Sequence, residues 1–198
     1  TYPLSVSSER IIQAIEIIKY AKKIKASSIA HGSTGAGNDQ VRFDLIFQIL
    51  SSDIKIITPI RDNKISREEE ISFLKKNGIK LNWDEKKYSI NKGLWGTSIG
   101  GKETLGSRHN IPKNAYPSKV VKKKEENISL TFKKGGIVAV NNIKASPLEN
   151  IKKIDEIASK FGVGRDTHVG DTIIGIKGRV GFEAAAPILI IKAHHLLE

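Results

Sequence analysis

The sequence predicts an α/β segment followed by an α+β segment, with the change near residue 78. Up to residue 77, stretches with apolar residues at helical spacing alternate with short runs rich in β-branched residues. That is the pattern of a parallel sheet with right-handed helical crossovers. After Gly78 the segments become short and glycine-punctuated, with a hairpin signal at Gly135-Gly136. A chain of 198 residues can bury one sizeable core or two smaller ones. No internal repeat is visible.

The elements are expected in the following order. Ile11, Ile12, Ile15, Ile18, Tyr20 and Ala21 mark an amphipathic helix from about Glu9 to Lys25. A strand at Ser28–Ala30 leads into a glycine loop. A helix then runs from Asn38 or Asp39 to Leu50, burying Val41, Phe43, Leu45, Ile46 and Ile49. Ile54–Ile57 is a second strand, and Ser66 with Glu69 three places on is a capping box opening a further helix. Beyond residue 78, strands are expected at Tyr88–Ile90, Leu94–Ile99, Ile128–Phe132, Ile137–Val140 and Thr172–Ile176. Ser146 and Pro147 open a helix carrying Leu148, Ile151, Ile154, Ile157 and Ala158. A last helix covers Ala184–Glu198.

Composition narrows the class. Cysteine is absent, which excludes a disulfide framework, a thiolate zinc site and a cysteine nucleophile. No run of eighteen apolar residues occurs and no secretory pattern opens the chain, so a cytoplasmic protein without a membrane span is expected. The net charge of +12 invites a nucleic-acid partner. Only Lys122, Lys123 and Lys124 cluster tightly, however, and Glu125 and Glu126 follow at once, which argues for a solvated basic surface. The chain begins at Thr1 and contains no methionine, so a piece of a longer protein is expected.

Chemistry concentrates at residues 31–43. Gly32, Gly35 and Gly37 lie between a strand and a helix, where backbone N–H groups and a helix N-terminus make an anion site. The spacing matches neither the P-loop nor the dinucleotide fingerprint, and a tight turn needing glycine for its backbone angles is the competing explanation. Ser33 and Thr34 add hydroxyls, Asn38 and Asp39 start the helix, and Arg42 shares a helix face with Asn38. Such a set suits a zwitterionic amino acid, with Asp39 for an ammonium and Arg42 for a carboxylate. Simple N-capping competes for Asn38 and Asp39. His31 has no evident carboxylate partner, and adjacent His194 and His195 make a poor metal pair, so structural or solvated roles are favoured; no metal site is expected. Lys177 and Arg179 are positioned for phosphate or for ordinary surface charge.

The run HGSTGAGNDQVRF (His31–Phe43) closely resembles the signature of the argininosuccinate synthase family. Ile57-Thr58-Pro59 with Arg61, SREEE at Ser66–Glu70, YSINKGLWGTS at Tyr88–Ser98, GVGR at Gly162–Arg165 and GIKGRVGFEAAAP at Gly175–Pro187 resemble it in the same order. The resemblance implies an adenine-nucleotide-hydrolase-like parallel sheet domain over 1–77 and a synthetase domain over 78–198. It implies ATP-dependent ligation of L-citrulline and L-aspartate in arginine biosynthesis, through an adenylated citrulline, with release of AMP and pyrophosphate. Carried over by position, Gly32 contacts ATP, with Mg as the usual counter-ion. Thr34, Asn38 and Asp39 hold aspartate; Tyr2, Ser7, Asn38, Arg42, Ser89 and Ser98 hold citrulline. No catalytic residue is assigned, and a homotetramer without nucleic-acid or membrane partners is implied.

Departures accompany the resemblance. Family members often hold citrulline with a glutamate and a tyrosine where this chain has Gly170 and Phe182, leaving Asp171 as a substitute carboxylate. Ile60 stands where tryptophan is common. The family's N-terminal pyrophosphate loop and its C-terminal, tetramer-building extension are not in the sequence, so the chain alone is expected to be inactive. Two rival expectations are a basic nucleic-acid-binding module and a folded remnant that binds nothing tightly.

Overall fold

The computed structural model describes residues 3–35, 37–80, 88–106, 108–173, 175 and 177–198. The described chain divides into two compact units. One holds Val6–Lys87 and Gly170–Lys177; the other holds Thr1–Ser5, Tyr88–Val169 and Gly178–Glu198.

The first unit is built around a parallel strand pair. Its elements are α1 (Val6–Lys23), β1 (Ser28–Ala30), α2 (Asp39–Leu50), β2 (Lys55–Ile57), α3 (Pro59–Asp62) and α4 (Arg67–Lys76). β1 and β2 pair in parallel, Ile29 opposite Ile56, with α2 in the crossover between them. Parallel pairing of this kind requires such a crossover. Ala14, Ile18 and Ala21 of α1, Ile29, Phe47 and Ile54 form the core, with Phe43 and Ile46 packed against it. α1 begins three residues before the expected Glu9, and Ile12 and Tyr20 lie on its exposed side at 60% and 63%. α2 also differs from expectation: Gln40 and Phe47 point inward, whereas Leu45 and Ile49 are exposed. Isoleucine and leucine occur all round both helices, so apolar spacing alone does not single out the inner stripe. The Ser66–Glu69 capping box is formed, each residue bonding the other's backbone N–H.

The second unit is antiparallel sheet and helix. β3 (Ser89–Gly93), β4 (Gly96–Gly100), β8 (Arg165–Asp171) and β9 (Lys177–Glu183) form a sheet in the order β3-β4-β9-β8. β5 (Leu130–Lys133), β6 (Gly136–Val140) and β7 (Ile143–Lys144) form another, covered by α5 (Pro147–Ala158) and α6 (Ala185–His195). The β5–β6 turn is one residue earlier than Gly135-Gly136: Lys133 pairs with Gly136, and Lys134 and Gly135 take φ of 50° and 76°. Positive φ at both loop positions makes a hairpin turn that follows the strands' own twist. Asn141 and Asn142, at φ 49° and 63°, repeat this between β6 and β7. Ser146 caps α5 in a second capping box with Glu149. The strand expected at Thr172–Ile176 is not formed. Thr172, Ile173 and Gly175 belong to the connection between β8 and β9, and residues 174 and 176 lie outside the described set.

Candidate functional site

The carboxyl ends of β1 and β2 face one edge of the parallel pair, and the polar residues gather there, as ligands commonly do in such sheets. His31 N–H donates to the Ile57 carbonyl at 3.0 Å, setting the glycine loop beside the turn that follows β2.

A continuous polar frame underlies that loop, centred on Asp44 of α2. His31 Nε2 lies 2.8 Å from Asp44 Oδ1, and Arg61 Nη1 donates to Asp44 Oδ2 at 2.5 Å. Arg61 also donates to Gln40 Oε1 at 3.2 Å and to Thr58 Oγ1 at 3.0 Å, and the Thr58 hydroxyl donates to Asp62. Gln40 Nε2 donates to the Gly35 carbonyl. His31 Nδ1 accepts the Ser33 N–H at 3.3 Å, and the imidazole packs against Phe43 and Phe47, which stack on each other. A part-buried network satisfied this completely stiffens what it touches. The carboxylate partner that sequence spacing does not show for His31 is therefore Asp44, supplied by the next helix. The Ser33 N–H is also turned inward, which removes one donor from the expected anion site.

Next to this frame, one carboxylate accepts from two guanidinium groups. Asp39 Oδ2 accepts from Arg10 Nε at 3.1 Å, and Asp39 Oδ1 accepts from Arg42 Nη1 at 2.9 Å. Asn38 makes no capping bond; its Oδ1 accepts the backbone N–H of Ile173 at 2.6 Å. Capping is thus not what either side chain does. With the Asn38 oxygen engaged, the donor capacity of its side chain lies in the amide N–H₂. Ser7 is exposed on α1, three residues before Arg10 and on the same helix face. Gly32 and Thr34 are exposed in the loop.

The loop glycines are not demanded by the backbone. None of Gly32, Gly35 and Gly37 has positive φ, and an added Cβ would meet its nearest neighbour at 3.7 Å in each case. Backbone angle and crowding therefore do not account for these three glycines.

The model of the Arginosuccinate synthase N-terminal HUP domain matches residues 1–80, and that of the Arginosuccinate synthase C-terminal domain matches residues 88–198. The chain belongs to the argininosuccinate synthase family. It is 42% identical over 200 residues to the argininosuccinate synthase of Methanocaldococcus jannaschii, covering 100% of this chain and 51% of the relative. The enzyme of Prochlorococcus marinus is 41% identical over 202 residues, with 100% and 50% covered, and that of Sulfurisphaera tokodaii is 39% identical over 200 residues, with 100% and 51% covered. The chain spans about half the length of the curated relatives it matches.

The other residues singled out by the argininosuccinate synthase resemblance lie as follows. Tyr2 is outside the described residues. Ser89 is exposed at the start of β3, whereas Ser98 is buried in β4 opposite Asn91 and Phe182. Phe182 itself is 3% exposed, so the position where the family often has tyrosine is part of the sheet interior here. Asp171 is exposed at the end of β8. Arg179 donates to the Gly106 and His109 carbonyls, which ties down a loop. His194 packs edge-on against Phe132 and pairs with Glu198, a structural placement. Sequence spacing missed Arg10, Gln40 and Asp44 as members of these polar clusters. The available signal was Gln40 and Asp44 at i, i+4, polar residues sharing the α2 face of Phe43 and Phe47.

Proposed function

We propose that this chain provides the amino-acid-gripping part of an argininosuccinate synthase, which joins L-citrulline to L-aspartate with ATP and releases AMP and pyrophosphate, in arginine biosynthesis. The observation that carries this is the Arg10–Asp39–Arg42 cluster with Asn38, set beside a glycine loop whose glycines the fold does not need. Zwitterionic substrates need both signs of charge held at fixed spacing, and an adenylated ureido group is reached by the incoming amine only if both partners are held in line. ATP supplies the adenylyl group, with Mg²⁺ as its counter-ion.

We assign aspartate to Thr34, Asn38 and Asp39, citrulline to Tyr2, Ser7, Asn38, Arg42, Ser89 and Ser98, and an ATP contact to Gly32. Asn38 serves by donating from its amide, and Arg42 by offering a carboxylate the guanidinium edge that Asp39 leaves open. We place the boundary between the nucleotide-binding and synthetase domains near residue 78, and expect a cytoplasmic homotetramer. Among the described residues no helix is long and apolar enough to cross a membrane.

Titration calorimetry on the purified chain tests this. L-citrulline and L-aspartate should each bind saturably, with L-ornithine, which lacks the ureido group, binding more weakly than citrulline. Equal heats for ornithine and citrulline, or salt-dependent retention on DNA without any amino-acid binding, would overturn it.

A further inference from the structure

Both ring nitrogens of His31 are engaged by the protein, one by the glycine loop and one by Asp44. A nitrogen that accepts an N–H carries no proton, so Nδ1 is the bare nitrogen and Nε2–H donates to Asp44. Arg61 braces Asp44 from its other oxygen, and the imidazole is held against Phe43 and Phe47. With neither nitrogen left for substrate, His31 is a positioning residue. Its geometry has a consequence one bond away. In a trans peptide the N–H and the preceding C=O point in opposite directions. No cis peptide occurs among the described residues. The Ser33 N–H points in at His31, so the Gly32 carbonyl points outward. Gly32 is exposed, and no donor among the described residues reaches that carbonyl.

We propose that His31 sets the polarity of the glycine loop: by taking the Ser33 N–H it presents the Gly32 carbonyl as an acceptor, so that this point of the loop reads a hydrogen-bond donor on the nucleoside, not a phosphate. A nucleoside has two such sources, the ribose hydroxyls and a base amine. This rests on the assignment of Gly32 to ATP above, but it reverses the chemistry that a glycine loop before a helix suggests, namely backbone N–H groups around an anion.

Nitrogen-15 NMR of the 198-residue chain tests both halves. Without ligand, the His31 ring should show the Nε2–H form with Nδ1 as acceptor; an Nδ1–H form overturns the proposal. Adenosine and ATP should both move the Gly32–Thr34 amide signals, and inorganic tripolyphosphate should not. Purine riboside, lacking the amine, should bind at least about fivefold more weakly than adenosine if the base amine is read, and 2′,3′-dideoxyadenosine should do so if the ribose is read. His31→Gln, which keeps a donor for Asp44 but loses the acceptor for Ser33, should weaken adenosine roughly tenfold. His31→Asn, whose Oδ1 can stand in for Nδ1, should change it less than about twofold. Tripolyphosphate moving these amides as ATP does, or both analogues binding like adenosine, would overturn the proposal. The expected ring form without any response to adenosine or ATP would instead refute the nucleotide assignment of Gly32, and the donor-reading role with it.

Discussion

Two arginine–carboxylate clusters in this chain use the same groups with different pairing and a differently exposed carboxylate. In the antiparallel unit, Arg165 Nε donates to Glu183 at 2.7 Å, its Nη2 donates to the Ser118 carbonyl, and its guanidinium lies over the Tyr116 ring at 4.5 Å. Charges are matched one to one, and the Arg165 and Glu183 side chains are 13% and 6% exposed. In the parallel-sheet unit, Asp39 is a third exposed and is flanked by two arginines. The neighbouring glycines divide in the same way. Gly164, next to Arg165, has φ of 76°, and a Cβ there would meet the Ala184 carbonyl oxygen at 2.4 Å, whereas Gly32, Gly35 and Gly37 have room for one. Closed charge pairing and obligatory glycine belong to the fold. At the loop, one carboxylate shared by two arginines goes with glycines that the backbone does not demand.

The largest effect expected from this contrast is on the closed side. Glu183→Ala leaves Arg165 with its charge unmatched in a nearly buried position. It should destabilise by about 3–5 kcal/mol, read from the urea midpoint. Gly164→Ala comes next, at about 2–4 kcal/mol from positive φ and backbone overlap combined. A change below about 1 kcal/mol in either would erase the distinction between the clusters.

Asp155 sharpens the closed side through pH. Burial pushes its carboxyl above the ordinary 3.8, opposed by the bond it accepts from the Ala186 N–H. With the folded value raised, the folded state holds the proton longer, so stability falls as pH rises from about 3.8 through the raised value. Asp155→Asn should flatten that slope and be no less stable at pH 7, in urea titrations across the acid range. Persistence of the full slope would assign it to another group. The smallest effect belongs to the open side: Gly32→Ala should change stability by no more than about 1 kcal/mol, in either direction.

Much of the fold is legible in the residues. The Ser66–Glu69 capping box, the Ser146 cap of α5, the alternation around β1 and β2, and the β5–β6 hairpin follow from local chemistry. What is not legible depends on contacts between distant residues. β8, with the polar sequence RDTHVGD, is a strand because it joins β9 in a sheet. The inward face of α2 carries Gln40 and Asp44 because the loops after β1 and β2 need partners there. At the candidate site, the glycines and polar residues of the run from His31 to Arg42 stand out in the sequence, yet Arg10 does not, since its link to Asp39 spans 29 positions. That Asn38 does not cap α2 likewise becomes clear only once its oxygen is seen to accept from Ile173.

We propose that the Arg10–Asp39–Arg42 cluster serves to bind an amino acid and not to hold the fold. Thermal unfolding of the chain with and without L-aspartate, for the parent and Asp39→Asn, tests it most directly. A ligand at 100 times its Kd stabilises by about 2.7 kcal/mol, and each kcal/mol raises the Tm of a chain this size by about 2–4 °C. The parent should therefore gain several degrees at saturating L-aspartate, and Asp39→Asn, with an unliganded Tm close to the parent's, should gain almost none. An equal gain in both proteins, or a collapse of the unliganded Asp39→Asn Tm, would contradict the claim.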